Sequence, residues 1–484
     1  MSAKNNSSHE SLLSKADNSV SKAVATVVDT YRLQYHFMPQ AYWMNDPNGL
    51  VYCNGYYHVF YQHHPYSPIW GSMHWGHART QDFINWEHLP IALAPSEDYD
   101  ADGCFSGSAV VEDGVLHLFY TGYRVIHGQA AQVQCRATSS DGIHFVKDPH
   151  NPLIRAYPAD GSADFRDPKV WRHGGLWFMA LGSGKEGRGK VLLYKSRDLS
   201  QWHYVGVAAE SDGTQGTIWE CPDIFPLGGK HILIVSPIGM ERRRVIYFVG
   251  EMDYESGKFT GEYVKELDYG PDFYAPQTFF GADRRILLAW MDSWEGNIES
   301  KKDNWAGALT LPRELLLDRT GQLRIHPLPE LKQLRKERVF ATNVLLENNQ
   351  KIFALCDLQK TGLEVILHAD LARTTASHFG IVFADTQNSQ QITVGFKRSC
   401  GKLYLDTNNV GLGNKGIFWA ELLPQEKLEL RIFLDRSSIE VFADNGAASI
   451  TSRIYPRVHK LVPQLFAVDG QLKITSIELW SLAK

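Results

Sequence analysis

The sequence predicts an all-β protein, a five-bladed β-propeller followed by a C-terminal β-sandwich. Two observations predict the propeller and a third the sandwich. First, Asp46, Phe105, Arg166, Glu220 and Tyr274 each stand nine residues before a turn position, at Gly55, Gly114, Gly175, Gly229 and Asp283. Second, Asp82, Asp141 and Asp198 are each followed four residues later by an aromatic residue, Trp86, Phe145 and Trp202, and the three pairs recur at a spacing near sixty residues. Self-similarity on that scale, built of short strands, is how radial repetition appears in a chain. Third, the C-terminal part alternates apolar and polar residues with few helix signals, the pattern of an antiparallel sandwich.

Taken in order, residues 1–33 form an N-terminal extension rich in Ser, Asn and Lys, in which Leu12, Leu13, Val20, Val24, Val27 and Val28 make a partial apolar stripe consistent with a helix. Packing on the propeller, a contact between copies and disorder are all compatible with it. Residues 34–320 carry the fivefold phase. Its strand-like runs are Tyr56–Phe60, Val115–Phe119, Leu176–Met179, His231–Val235 and Ile286–Trp290, rich in β-branched and aromatic residues. Asn54-Gly55 and Asp113-Gly114 are the strongest hairpin signals, because such turns need positive φ. The phase ends in 321–340, a stretch holding His326-Pro327-Leu328-Pro329 and the charged run Lys332–Arg338, which reads as a linker. Residues 341–484 form the sandwich. Leu428, Leu430, Ile432 and Leu434, then Ile439, Val441 and Ala443, then Leu472, Ile474 and Ile477 supply its alternation, with turns at Asp435-Arg436-Ser437 and Asp444-Asn445-Gly446.

Composition is that of an ordinary globular protein: 484 residues, 44% hydrophobic, 12% aromatic, 49 Lys plus Arg against 54 Asp plus Glu, net charge -5. No apolar run approaches the roughly 20 residues of a membrane span, and neither a basic stripe nor an acidic tail is present. Nucleic acid and membranes are therefore not expected partners. The apolar stretch Ala23–Val28 is too short and too late for a signal segment, so a cytoplasmic protein is expected. Six cysteines, Cys53, Cys104, Cys135, Cys221, Cys356 and Cys400, lack the spacing of a zinc site or a disulfide framework.

In a propeller the first strand of every blade lines the axis, so acids far apart in sequence meet in one funnel. Three of the five phased segments carry acids, in Asn45-Asp46-Pro47, Arg166-Asp167-Pro168 and Trp219-Glu220-Cys221. An Asp before Pro is by itself usually a turn residue; three acids in one phase point to a shared site.

The motifs Trp43-Met44-Asn45-Asp46-Pro47-Asn48-Gly49, Phe105-Ser106-Gly107-Ser108, Phe165-Arg166-Asp167-Pro168, Trp219-Glu220-Cys221-Pro222-Asp223 and Tyr274-Ala275-Pro276-Gln277 resemble those of family 32 glycoside hydrolases, the invertases and sucrose-6-phosphate hydrolases. With Asp435–Phe442 in the sandwich, the resemblance runs from about Gln34 to Trp480. It implies a retaining β-fructofuranosidase that hydrolyses sucrose or sucrose 6-phosphate through a covalent fructosyl-enzyme. Such chemistry needs a carboxylate nucleophile and a carboxylic acid roughly 5 to 5.5 Å away. By resemblance Asp46 is the nucleophile, Glu220 the acid/base and Asp167 the transition-state stabiliser. Asn45, Gln62, Trp70, Phe105, Ser106, Arg166 and Trp290 match sugar-contact positions. The motif Asp435–Phe442 is given no catalytic role.

The division of labour requires Asp46 ionised and Glu220 protonated. Asn45 and the amides near 47–49 are expected to hold Asp46 anionic. Glu220 is expected to be raised by apolar Trp219 and Cys221 and by the charge of Asp46. Carboxylates complete the reaction unaided, so no cofactor or metal is expected. Structural roles are expected for His74, His77 and Asp223. The run Gly182–Gly189 resembles a phosphate loop but lies between strand-like runs, without the following helix, and reads as a connecting loop. For a phosphorylated substrate the candidate cations are Lys185, Arg188, Arg242, Arg243, Arg244, Lys301 and Lys302. Whether water or a second sugar takes the fructosyl group, whether longer fructans are substrates, and whether the chemistry has been lost to leave a sugar-binding propeller remain open at this level, as does an inverting hydrolase on other furanosides.

Overall fold

The computed structural model describes residues 2–241, 245–347, 350–352, 356–357, 362–385, 387, 389–423, 425–458 and 460–484. Between residues 42 and 327 the chain forms five antiparallel sheets in sequence order, each a meander of four consecutive strands apart from short additions. Their first strands are Tyr42–Cys53, Gly103–Glu112, Phe165–His173, Ile218–Leu227 and Tyr274–Thr278. The short strand Trp305–Ala306 joins the first sheet in parallel with Tyr42–Cys53, so the end of this region is tied back to its beginning.

Local chemistry explains the hairpins. Positive φ falls on Asn54 and Gly55, Asp113 and Gly114, Gly174 and Gly175, and Gly228 and Gly229, the conformation of two-residue turns whose twist matches their strands. The fifth expected turn, at Asp283, is instead a longer loop between Thr278 and Ile286, with positive φ at Gly281. The Asp-to-aromatic echoes are turns between third and fourth strands: the Asp82 carboxylate accepts from the amides of Ile84 and Asn85, Asp141 from Ile143 and His144, and Asp198 from Ser200 and Gln201.

The helix Ser2–Val24 lies along the outer strand Glu87–Leu93. Ala16, Val20 and Ala23 are buried, the first two packing with Ile91, while Val24 and Val28 stay exposed. The Asp17 carboxylate accepts from the Ile91 amide (3.0 Å), which satisfies a donor on an otherwise open sheet edge.

The expected linker, 321–340, is mostly ordered structure. Leu323–Pro327 completes the fifth sheet, Pro329–Leu334 is a 3₁₀ turn, and Arg335–Glu347 is a strand of the next sheet. The charges of Lys332–Arg338 read as linker because this strand is a sheet edge with most residues facing solvent. Beyond it lie sheets of six and seven strands around one apolar core that includes Leu367, Phe379, Val394, Leu430, Ile450 and Ile474.

The seam between the two regions joins a buried ionic cluster to apolar packing of Leu311 and Leu334 with Phe433 and Phe442. Asp435 accepts from the Gln34 amide (2.9 Å) and His36 Nδ1 (2.8 Å), and Glu440 takes His36 Nε2 (2.9 Å), the Leu311 amide (2.9 Å) and Arg313 Nη2 (2.7 Å). Arg313 also donates to Asp268 (2.8 Å). Burial alone would lower the His36 pKa, but the two carboxylates outweigh it and raise it. Asp435 and Glu440 are held below the usual carboxylate range, His36 and Arg313 overcoming their burial. The family-like motif of the sandwich therefore joins the two regions.

Candidate active site

Every first strand of the five sheets carries an extra residue relative to its partner at one level, and Tyr42–Cys53 carries a second between Asn48 and Val51. The register slips between Met44 and Pro47, Phe105 and Gly107, Arg166 and Lys169, Glu220 and Asp223, and Tyr274 and Gln277. Four of these bulges contain a proline, Pro47, Pro168, Pro222 or Pro276, which has no N–H for the ladder and is tolerated where pairing is interrupted. Asp167, Cys221 and Ala275 sit there at positive φ (65°, 48° and 50°). A bulge re-aims side chains, and here five of them turn polar groups into one space.

That space is a cavity of about 500 Å³ lined by Asn45, Asp46, Gln62, Trp70, Phe105, Ser106, Arg166, Asp167 and Glu220, and also by Tyr123, Gln132, Asp164, Ile238, Tyr274 and Trp294. Asp46 Oδ2 accepts from Ser106 Oγ (2.7 Å), and Oδ1 from Asn45 Nδ2 (3.1 Å), whose own oxygen is held by Trp43 Nε1 (2.7 Å). Asp167 Oδ2 accepts from the Cys221 amide (2.9 Å). The Cys221 thiol lies 3.6 Å from Asp167 Oδ2 and 3.9 Å from Asp46 Oδ2, so both carboxyls converge on one sulfur. Glu220 Oε1 accepts from Arg166 Nε (3.0 Å), Oε2 accepts from the Tyr274 hydroxyl, and Arg166 Nη1 also pairs with Asp164 (2.7 Å). Phe105 stacks on Tyr123 (4.2 Å), and half-exposed Trp70 meets Phe105 edge-on (6.2 Å), giving one aromatic wall.

The electrostatics differ from the expectation. Burial pushes Asp46 up to about 6, the Ser106 and Asn45 hydrogen bonds only partly opposing this and the Glu220 charge adding to it. The amides expected to keep Asp46 strongly anionic are outweighed, because desolvation penalises the charged form. Asp167 is raised too, by burial first and by Glu220 and Asp46, against Arg166. Burial would lower Arg166, yet Glu220, Asp167 and Asp164 hold its pKa above the ordinary value. Glu220 itself is not in apolar surroundings: its neighbours across the cavity are a guanidinium and a phenol, which adjacency to Trp219 and Cys221 in sequence does not reveal.

Trp290 does not reach the cavity. It is fully buried behind Trp43 (5.9 Å) and Trp294 (4.9 Å), and Trp294 takes the place at the wall. The nine-residue phase had flagged Tyr274, and its hydroxyl role was missed. Tyr123, Gln132 and Trp294 lie outside the phased segments, and no local signal marks them. Asp164, two residues before Arg166, was legible only as a neighbour. His74 and His77 make ordinary structural bonds, to Ser72 O (3.0 Å) and His58 Nδ1 (3.0 Å), and Asp223 accepts from the Thr278 amide (2.7 Å).

The glycine run 182–189 has a packing role. It forms the hairpin between strands Leu176–Lys185 and Arg188–Ser196. A Cβ at Gly182 would stand 2.3 Å from Trp219 O and 3.3 Å from Glu220 Cα, and one at Gly189 2.3 Å from the Trp219 ring. These positions let the strand bearing Glu220 approach. Of the candidate phosphate cations, Lys185, Arg188, Lys301 and Lys302 do not line the cavity: Lys302 pairs with Glu299 (2.6 Å), Arg188 with Glu210 (3.6 Å), and Lys301 lies over the Trp43 ring (5.2 Å). Arg242, Arg243 and Arg244 lie outside the described residues.

Residues 36–327 match the glycosyl hydrolases family 32 N-terminal domain, and residues 330–481 the glycosyl hydrolases family 32 C terminal. The chain belongs to glycosyl hydrolase family 32. It is 39% identical over 475 residues to a sucrose-6-phosphate hydrolase of Zymomonas mobilis, covering 93% of this chain and 91% of the relative. It is also 39% identical over 495 residues to a raffinose invertase of Escherichia coli, covering 97% and 99%. A Bombyx mori GH32 beta-fructofuranosidase superposes with a TM-score of 0.87 at 35% identity, covering 98% of this chain and 99% of that one, and a mutant of it has been solved in complex with sucrose.

Proposed function

We propose that this chain is a retaining β-fructofuranosidase that hydrolyses sucrose, sucrose 6-phosphate or both, and that the five sheets between residues 42 and 327 are blades of a five-bladed propeller followed by a β-sandwich that begins with the strand Arg335–Glu347. One observation carries the reading: three carboxyls from three bulged first strands share a single cavity walled by aromatic rings, a combination suited to a small furanose. The family membership and its sucrose-related relatives support the substrate class. No helix among the described residues is long and apolar enough to cross a membrane.

In the first step Asp46, ionised, attacks the anomeric carbon of the fructosyl ring while Glu220 gives its proton to the glycosidic oxygen, releasing glucose or glucose 6-phosphate. In the second, Glu220 takes a proton from water, which attacks the same carbon and frees Asp46. Asp167 accepts hydrogen bonds from fructosyl hydroxyls that strengthen as the ring flattens. Arg166 and Tyr274 orient the Glu220 carboxyl, and Ser106 and Asn45 offset part of the cost of ionising Asp46 in a desolvated position. Gln62, Trp70 and Phe105 shape the pocket.

Purified protein, Asp46→Ala and Glu220→Gln should be assayed for reducing sugar from sucrose and from sucrose 6-phosphate. The expected outcome is hydrolysis by the wild type and a fall in kcat of roughly 10²- to 10⁴-fold for Glu220→Gln, with a larger loss for Asp46→Ala. Full activity in either variant would refute the assignment.

A further inference from the structure

A second cavity, of about 310 Å³, shares no residue with the first. It lies where Arg32, on the segment entering the first sheet, meets Trp86 and His88 of that sheet and Lys484 at the far end of the sandwich; His36 and Phe37 also line it. Its polar lining holds the cations Arg32 and Lys484 and the indole N–H of Trp86, beside the Asn85 amide and the His88 ring, each of which has both a donor and an acceptor. Among the described residues Arg32 makes no ion pair: Nη1 donates to Pro39 O (2.9 Å) and Gln40 O (3.3 Å) and the guanidinium lies over the Trp305 ring (5.2 Å), leaving Nε and Nη2 without a hydrogen bond. The Lys484 ammonium has neither a hydrogen bond nor a carboxylate within 4 Å among them. The Trp86 indole N–H is buried with no acceptor. His88 stacks on Phe37 (5.3 Å).

Neighbouring carboxylates favour the charged forms of Arg32 (Asp29) and of Lys484 (Asp435 and Asp82) without pairing with either, because each is already engaged. Asp29 pairs with Arg436 (3.0 Å). Asp82 takes the amides of Ile84 (2.9 Å) and Asn85 (2.8 Å) and the Asn85 side chain (2.8 Å). Asp435 takes Gln34, His36 and the Arg436 amide (2.7 Å). His36 is held between Asp435 and Glu440, which raise its pKa against burial. Burial, then Arg32 and Lys484, press His88 down to about 4, while burial lowers Arg32 to about 10 against the pull of Asp29 and lowers Lys484 against Asp435 and Asp82. A half-enclosed space with two unpaired cations and an orphaned N–H wants a ligand made of acceptors.

We propose that this cavity binds a phosphate-sized oxyanion, free or carried as a phosphate monoester on a small metabolite, through Arg32, Lys484 and the Trp86 indole N–H. A neutral sugar would leave the charges of Arg32 and Lys484 uncompensated, whereas an oxyanion brings both acceptors and negative charge. The volume exceeds that of inorganic phosphate, so an attached group fits beside it. Because Arg32 and Trp86 belong to the first region and Lys484 to the second, the bound anion would tie the two together.

The test is calorimetric titration of the whole protein with sodium phosphate and with glucose 6-phosphate, against sodium chloride at matched ionic strength. Saturable binding is expected, weakened roughly tenfold by Lys484→Gln and by Trp86→Phe, while hydrolysis of sucrose by Lys484→Gln is unchanged. Tighter binding of one titrant identifies whether the free anion or the monoester is the ligand. Arg32→Gln should abolish binding; should it fail to fold, the other two variants decide. No heat above the chloride control, or binding that Lys484→Gln and Trp86→Phe leave untouched, overturns the proposal. It stands or falls independently of the fructosidase reading.

Discussion

Replacing Ser106 by Ala removes one donor, at 2.7 Å, from a carboxyl that burial has already raised to about 6. A hydrogen bond to a charged group contributes about 1.5 to 3 kcal/mol, and one pKa unit corresponds to about 1.36 kcal/mol. Loss of the bond disfavours the anion, so the Asp46 pKa should climb by about one to two units. At pH 6 the ionised, nucleophilic fraction then falls from about one half to about one tenth or less, a loss of roughly fivefold or more in kcat/KM. Near pH 8.5 much of that loss should disappear, because Asp46 is again largely ionised. The measurement is kcat/KM for sucrose from pH 4.5 to 9 in wild type and Ser106→Ala, with the acidic limb fitted in each. A limb that stays in place, with a loss of equal size at every pH, would show that Ser106 does not tune the nucleophile and that Asp46 is not the group behind the limb.

Gly182→Ala should lower kcat by up to about 100-fold, since the new Cβ, 2.3 Å from Trp219 O, must displace the strand that aims Glu220; steady-state kinetics with a melting curve would separate this from unfolding. His36→Ala should destabilise by about 3 to 5 kcal/mol in denaturant unfolding, because it removes the partner shared by two buried carboxylates, leaving Asp435 with backbone amides and Glu440 with Arg313 and the Leu311 amide. The wild-type pH dependence of stability follows from the same cluster. His36, raised in the folded state, contributes fully below its unfolded pKa of about 6.5 and loses that contribution as pH rises through its folded value; Asp435 and Glu440, depressed, contribute above about 4 to 4.5 and lose it as pH falls through their folded values. Melting temperature should therefore be highest between these windows, and His36→Ala should flatten its decline on the alkaline side. Trp294→Ala should raise KM with little loss of stability, whereas Trp290→Ala should cost about 3 to 5 kcal/mol of stability, since only Trp294 borders the cavity.

The sequence by itself determined what depends on neighbours along the chain. Positive-φ pairs such as Asn54-Gly55 and Asp113-Gly114 commit the backbone to hairpins, period-two runs such as Leu428–Leu434 commit it to sandwich strands, and the Asp-Pro and Glu-Cys-Pro segments, in phase with those turns, mark where the first strands bulge and which acids they present. Asp46, Asp167 and Glu220 were legible for that reason. What only the tertiary structure decided depends on distances across sheets and on the loss of water. Trp294 rather than Trp290 borders the cavity because the two rings pack one behind the other. Gly182, Gly184 and Gly189 proved to be clearance for the strand of Glu220, a steric demand made by a segment thirty or more residues away. Residues 335–340 looked like linker because an exposed edge strand keeps the charges of a loop while its backbone pairs with Arg335's distant partner strand Gln471–Leu482. The upward shift of Asp46 is the clearest case: its hydrogen-bond donors can be read in part from adjacent residues, but the desolvation that outweighs them comes from four other sheets closing around one carboxyl.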